Sequence, residues 1–238
     1  MKKLILLVAL SIGFIKISNA QNNEFEKPDS QFVAINHSRF NLKSQKYLII
    51  PCSFIAYGFS SLANTETREW NFEIRDKIKS NYSGFHSSID DYLQYSPAVT
   101  TFALKMLGVK SSHNIWSSVK IYATSSLILA GSVYALKNIT GEQRPDDSGN
   151  NSFPSGHTST AFAAAEFMHQ EFKKSSPLLS YSGYLAASAT GVLRMYNNKH
   201  YLGDVLAGAG VGILTTKLAY WLNDKVFVSR KSKISSSF

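Results

Sequence analysis

At 238 residues with a formal charge of +9, the chain is long enough for one domain with a real core or one compact membrane bundle, and it shows neither a second domain nor a repeat. The basic residues are scattered, with no Lys/Arg run interleaved with aromatics, which excludes a nucleic-acid groove; a phosphate pocket plus positive membrane flanks accounts for the excess. The only cysteine, Cys52, excludes an intramolecular disulfide and a thiolate metal site.

The first twenty residues read as an export signal. Lys2 and Lys3 form a charged start, residues 4–17 an apolar stretch, and Ser18-Asn19-Ala20 a small-residue cleavage site. A polar lead-in follows over 21–46. Residues 47–63 are apolar and just long enough to span a bilayer, which takes roughly 17–25 residues. Residues 64–91 are charged and loop-like, with an amphipathic helix around 70–78. Residues 92–109 are helical but interrupted by Gln94, Pro97 and Lys105. Residues 115–136 make a better span despite Lys120. Gly, Asp, Asn and Pro crowd residues 140–153, a strong turn signal. Helices are expected over 158–172, 178–195 and 204–222, and residues 226–238 form a basic tail. No stretch alternates like a strand, so the fold class is all-α, a helical bundle over residues 47–225.

The mean hydropathy of −0.10 is low for a multi-span membrane protein. Against it, the last two helices are nearly uncharged and rich in small residues. Gly208 and Gly212 form a G-x-x-x-G step with Ala207, Ala209 and Gly210 beside it, a pattern that lets helices approach closely in lipid. The same residues also pack tight soluble bundles. Three apolar segments precede Lys137. With a cleaved signal, three crossings would turn the polar clusters to the cytoplasm and two would turn them outward. Pro97 and Lys105 are costly at mid-bilayer, so residues 92–109 are expected at the surface or inside the bundle, with the polar clusters facing the periplasm.

Three polar clusters carry the chemistry. Lys137 and Arg144-Pro145 lie across a helix end. The Arg fork matches two phosphate oxygens and Lys adds a mobile point charge, although Lys and Arg also flank ordinary spans. Pro154-Ser155-Gly156-His157 ends the polar loop and opens a helix. Ser155 is an N-cap, Gly156 allows close backbone approach, and the free N–H groups of the first turn favour an anion. His157 stands where it can protonate a leaving oxygen; an ordinary capped helix with an exposed His would look the same. In the third cluster, Arg194, His200 and Asp204, the i,i+4 spacing of His200 and Asp204 puts both on one helical face. A carboxylate on one ring nitrogen leaves the other a good nucleophile, and Arg194 can close on the same phosphate. Each cluster alone has a bland explanation; all three together fit holding a phosphate and attacking it without a metal. Asp146-Asp147 reads as a solvated loop, and His37, His86, His113 and His169 lack partners at meaningful spacing.

Lys137-x6-Arg144-Pro145, Pro154-Ser155-Gly156-His157 and Arg194-x5-His200-x3-Asp204 resemble the three-part signature of the type 2 phosphatidic acid phosphatase (PAP2) superfamily. The resemblance covers residues 115–222. It departs at Leu193, where the family usually has Ser. The stretch Asp90-Asp91-Tyr92-Leu93-Gln94-Tyr95-Ser96-Pro97 also resembles exported PAP2 proteins of Bacteroidetes. The resemblance implies a PAP2-type bundle and a phosphatase without a cofactor. In it His200 attacks phosphorus to form a phosphohistidine, and Asp204 orients and charges that imidazole. His157 protonates the leaving alkoxide and then activates water. Lys137, Arg144, Arg194, Ser155 and the Gly156 N–H hold the phosphate oxygens. The implied partners are the membrane and a lipid phosphate: lipid A, undecaprenyl diphosphate, phosphatidate or phosphatidylglycerol phosphate. The implied location is the bacterial inner membrane with the site facing the periplasm. A soluble periplasmic acid phosphatase and a vanadium haloperoxidase are the competing readings.

Overall fold

The computed structural model describes residues 46–235, with side chains through residue 225. The expected signal peptide, nearly all of the polar lead-in, and the side chains of the basic tail lie outside the described residues. Eight helices and no strand are found among the described residues: α1 (Lys46–Ala63), α2 (Thr65–Asn81), α3 (Ile89–Leu93), α4 (Ser96–Met106), α5 (Ile115–Thr140), α6 (Gly156–Phe172), α7 (Pro177–Tyr196) and α8 (Leu202–Ser235). The all-α expectation holds. The charged stretch after α1 is more ordered than expected, and α8 runs past residue 222.

Local chemistry sets most boundaries. Asn64 caps α2 through its side-chain oxygen, which accepts from the N–H groups of Glu66 and Thr67. Asn114 caps α5 in the same way through Ser117 N–H. Pro97 and Pro177 sit in the first turns of α4 and α7, where the missing N–H costs nothing. At the far end of α5, Gly141 takes a left-handed conformation (φ 56°) and returns its N–H to Lys137 O. That cap fixes where the last turn of α5, carrying Lys137, gives way to the polar loop.

α8 is the central element, and its small residues explain why. A Cβ on Gly208 would lie 2.7 Å from Ser155 O, and one on Gly212 would lie 2.3 Å from Ser159 O and 2.8 Å from Ala163 N. On the other face, a Cβ on Gly210 would lie 2.5 Å from Pro51 O. The G-x-x-x-G step thus seats α8 on the backbone of α6, and Gly210 seats α1 against its back. Ser125 of α5 and Thr216 of α8 share a buried hydrogen bond of 2.8 Å.

These contacts also fix the direction of each helix. α6 and α8 run parallel, because Gly208 meets Ser155, Gly212 meets Ser159 and Tyr220 meets Phe167. α1 runs opposite to α8, since Pro51 pairs with Gly210 and Gly58 with Gly203. The segment over 92–109 packs on α6 and α7, burying Pro97, Ala98 and Thr101 and leaving Tyr92, Val99, Met106 and Leu107 exposed, and it does more than cover a surface. Asp91 reaches His157 at the start of α6, and Lys105 reaches Glu171 at its end. α3 and α4 therefore carry the chain from one end of the bundle to the other. The expected two-crossing arrangement is thereby corrected: α1 and α5 run parallel, and the Lys46 end of α1 lies opposite the Lys137 end of α5.

Among the described residues, three helices are long and apolar enough to cross a membrane: Lys46–Ala63, Ile115–Thr140 and Leu202–Lys225. Only the last is mostly buried within the protein. α1 and α5 present Tyr47, Ile49, Ile50, Phe59, Leu127, Tyr134 and Ile139 outward. Apolar exteriors of this extent need a nonaqueous neighbour, and the bundle is membrane-associated. The end opposite the polar clusters is tied by a buried network in which Glu171 accepts from Lys105 Nζ at 2.7 Å and Tyr220 OH at 2.7 Å, and pairs with His113 Nδ1 at 3.1 Å. His113 and His169 thus have partners that their sequence spacing hid; His169 Nδ1 lies 3.2 Å from Ser180 Oγ.

Candidate active site

α6 and α8 begin at the same end of the bundle at which α5 and α7 finish. This meeting of two helix starts and two helix ends brings the three sequence clusters together. The start of α6 is tied directly to the start of α8, because Ser155 N–H donates to Asp204 O at 3.0 Å.

His200 is almost fully buried and lies in the short connection before α8, not on a helix. The expected i,i+4 pair within a helix is therefore corrected: Asp204 is the third residue of α8 and reaches back over the first turn. Its Oδ2 accepts from Tyr201 N–H at 2.8 Å and from Ser152 Oγ at 2.6 Å, and stands 3.5 Å from His200 Nδ1. The back-bond to Tyr201 is a capping-box contact that also fixes the carboxylate. Ser152 Oγ sits 3.3 Å from the same His200 Nδ1. With Nδ1 facing these partners, Nε2 is the nitrogen left for chemistry. Burial pushes the His200 pKa down to about 4, with Arg194 and Lys137 adding to the effect and Asp204 opposing it. The resting imidazole is neutral at neutral pH, as a nucleophile requires.

The three cations come from three elements. Lys137 Nζ donates to the backbone oxygen of Asn151, and Arg144 Nε donates to Asn151 Oδ1 at 2.7 Å. Asn151 thus holds both. Arg194, in the last turn of α7, donates from Nη1 to Asp90 Oδ2 at 2.8 Å, and its buried Nε has no partner among the described residues. Burial and then repulsion from Arg194 lower the Arg144 pKa, which reflects how closely the cations converge. A buried guanidinium N–H without an acceptor is costly, and an anion bound there would satisfy it.

His157 is the second residue of α6, with Nε2 2.8 Å from Asp91 Oδ1. Burial lowers its pKa below 6.5, Arg194 lowers it further, and Asp91 and Asp90 oppose both. The space in front of Gly156 is open. Ser155 is fully buried, and its Oγ faces the α6 start, 2.9 Å from Thr158 Oγ1 and accepting from Thr158 N–H at 3.4 Å. Its hydroxyl caps the turn. A cavity of about 710 Å³ adjoins His157, Gly156 and Lys137 and continues between Tyr122, Leu129 and Val133. Asp90, Asp91 and His157 place ligand-type atoms within 4.8 Å of one another. Both Asp90 oxygens, however, are taken by Arg194 and by Asn197 Nδ2.

The profile of the PAP2 superfamily matches residues 118–227, the stretch that holds all three clusters. This stretch of the chain belongs to the PAP2 superfamily. Among relatives, the lipid A 1-phosphatase of Porphyromonas gingivalis is 39% identical over 161 residues, covering 66% of this chain and 36% of that protein. The chain thus spans about a third of that relative's length. Two solved structures are similar. LpxE of Aquifex aeolicus has 20% identity and a TM-score of 0.46, covering 61% of this chain and 93% of that one. A transmembrane phosphatidylglycerolphosphate phosphatase of Bacillus subtilis has 17% identity and a TM-score of 0.46, covering 74% and 97%.

The sequence clusters missed four site residues. Ser152 and Asn151 sit in the polar loop without any spacing signal. Asp90 and Asp91 stood out only through the resemblance of their stretch, and nothing local ties them to residues more than sixty positions away. Asp146, expected in a solvated loop, pairs with Lys199 at 2.5 Å, which holds its pKa at about 2 against the opposing effect of partial burial.

Proposed function

We propose that this PAP2 protein is a metal-independent phosphatase that hydrolyses a phosphomonoester or diphosphate on a lipid through a phosphohistidine on His200. In the first step His200 Nε2 attacks phosphorus, the phosphorus–oxygen ester bond breaks, and His157 gives its proton to the departing alkoxide. In the second step His157 takes a proton from water, the hydroxide attacks phosphorus, and the nitrogen–phosphorus bond breaks to release phosphate. Asp204 fixes the tautomer and stabilises the charge that His200 acquires. Lys137, Arg144, Arg194 and the Gly156 N–H stabilise the equatorial oxygens as charge develops. Ser155 contributes the capped turn that presents that N–H.

One observation carries the reading: a buried His200, oriented through Nδ1, lies within electrostatic reach of Arg194 and Lys137, and Arg194 keeps an unsatisfied buried N–H. The likeness to a lipid A 1-phosphatase and the outward-facing apolar helices favour a lipid substrate of that kind over a soluble acid phosphatase. The test is phosphate release in detergent with EDTA from lipid A, undecaprenyl diphosphate, phosphatidic acid and a soluble aryl phosphate. Preference for one lipid, lost in His200→Ala, is expected. Release only from the aryl phosphate, or only with added divalent metal, contradicts the proposal.

We further propose that the site faces the periplasm. α8 carries the site at its start and leads to the basic run Arg230-Lys231-Ser232-Lys233 at the other end, which the positive-inside rule keeps cytoplasmic. The Lys46 end of α1 shares that cytoplasmic side. A signal cleaved after Ala20 would instead deliver Lys46 outside and turn the site inward, so cleavage and an outward site exclude one another when α1 crosses. Reporter fusions after Asn150 and before Lys46 separate the cases: an external signal at 150 with an internal one at 46 is expected, and the reverse pair overturns the orientation.

A further inference from the structure

The PAP2 signature explains how Arg194 and His157 meet a phosphate, but not what holds them when they do. Both are gripped by the two carboxylates of one five-residue helix, α3, which lies outside the matched residues 118–227. Asp90 is buried, and its two oxygens bind Arg194 Nη1 at 2.8 Å and Asn197 Nδ2 at 3.1 Å. Asp91, the next residue, is half-exposed and binds His157 Nε2 at 2.8 Å. The helix itself is pinned to the end of α7. Asn197 Oδ1 accepts from Ser87 N–H at 2.9 Å, and Asn197 Nδ2 donates to Ser87 O at 2.7 Å. α3 is therefore not free to slide, and Asp91 is presented to His157 from a fixed support. An exposed carboxylate at the surface needs no such support, and an exposed ion pair contributes little to stability. The geometry is that of an orienting carboxylate on an imidazole, the same relation that Asp204 has to His200.

Resting on the phosphatase reading above, we propose that Asp91 is a positioning residue for the general acid: its carboxylate holds His157 through Nε2 and leaves Nδ1–H to protonate the leaving alkoxide. Asp90 fixes the same helix by anchoring it to Arg194, so one short helix sets the spacing between the phosphate clamp and the proton donor. The reaction balance is unchanged. The proton leaves His157 Nδ1, the ester oxygen receives it, and the carboxylate of Asp91 stays ionised against the ring's other N–H.

The arrangement also opposes the forces that discharge His157. The groups facing the ring are Asp91 and Asp90 from α3 and Arg194 from α7, with Lys137 of α5 lining the same cavity. Burial and Arg194 disfavour the protonated ring, and the two carboxylates favour it. Asp91 thus keeps a donor loaded in a site built from cations.

The test compares wild type, Asp91→Asn and Asp91→Ala with substrates of differing leaving group. Asp91 is exposed enough that neither change threatens the fold, and His200→Ala provides the inactive reference. Both variants should lose about tenfold or more in kcat/KM, which reports the step in which the leaving group departs, on a lipid phosphate, whose alkoxide needs a proton, as part of the roughly 10²–10⁴-fold that a positioned acid supplies. On a nitrophenyl phosphate, whose leaving group needs no proton, the loss should be at least several-fold smaller. The alkaline limb of kcat/KM should shift to lower pH. Equal losses on both leaving groups, or no loss at all, would overturn the role of Asp91. A wild type inactive on every phosphoester would instead overturn the phosphatase reading. In that case NMR titration of His157 in the detergent-solubilised protein still decides the contact: its pKa should fall in Asp91→Asn, and an unchanged value refutes the proposal.

Discussion

Gly212→Ala tests whether the site depends on the close seating of α8 on α6. The added Cβ would lie 2.3 Å from Ser159 O and 2.8 Å from Ala163 N, where ordinary contact begins at 3.4 Å. Both neighbours are backbone, so no side chain can swing away. The helices must part by about 1 Å, an overpacking that costs about 1–3 kcal/mol. The consequence for the site follows from what each helix carries: α6 begins with Gly156 and His157, and α8 follows His200 and holds Asp204. Parting them shifts the proton donor against the nucleophile, and about 1 Å of misplacement costs roughly 10²-fold in rate. Thermal unfolding and phosphate release in detergent measure the two effects. Gly131→Ala is the control, because a Cβ there meets nothing within 4 Å and Ala is the better helix former by about 1 kcal/mol. A Gly212→Ala protein with wild-type melting temperature and kcat/KM would refute the argument.

Further outcomes can be checked alongside it. Ser152→Ala removes the 2.6 Å hydrogen bond to Asp204; a bond to a charged group contributes about 1.5–3 kcal/mol, so kcat should fall roughly 10- to 100-fold, as measured by steady-state kinetics. The pH profile of kcat/KM should be a bell with its optimum on the acid side of neutrality. His200 must be neutral, which fails as pH falls toward about 4. His157 must be protonated, which fails as pH rises through a value below 6.5. An optimum well above neutrality contradicts these assignments. Glu171→Gln should lower stability by about 3–5 kcal/mol because it strands the buried Lys105, with kcat little affected, since this network lies at the end of the bundle away from the site. Denaturation and turnover of the same preparation separate the two.

Much of the fold was legible because helix signals here are local. Asn114, Pro177, Gly141 and Ser155 mark boundaries by their own backbone chemistry, and the glycines of α8 announce a close helix contact before the partner is known. The site was legible to the extent that its residues fall in short clusters. What escaped were relations between distant segments. Nothing near Asp90 or Asp91 points to Arg194 or His157, and Ser152 is one polar residue in a polar loop. The direction of residues 92–109 also escaped, because Pro97 and Lys105 looked like obstacles to crossing. Pro97 sits harmlessly in the first turn of α4, and Lys105 ends in a buried pair with Glu171.

The central claim is that His200 is the nucleophile. Its most direct test is rapid mixing of the protein with a lipid phosphate bearing labelled phosphorus, an alkaline quench that preserves phosphohistidine, and mass spectrometry of the peptide containing His200. His157→Ala, given a substrate whose leaving group needs no proton, should accumulate the intermediate because the second step lacks its base. The account predicts label on His200 in that variant, transiently in wild type, and none in His200→Ala. Turnover without label on His200, or turnover that survives His200→Ala, would contradict it.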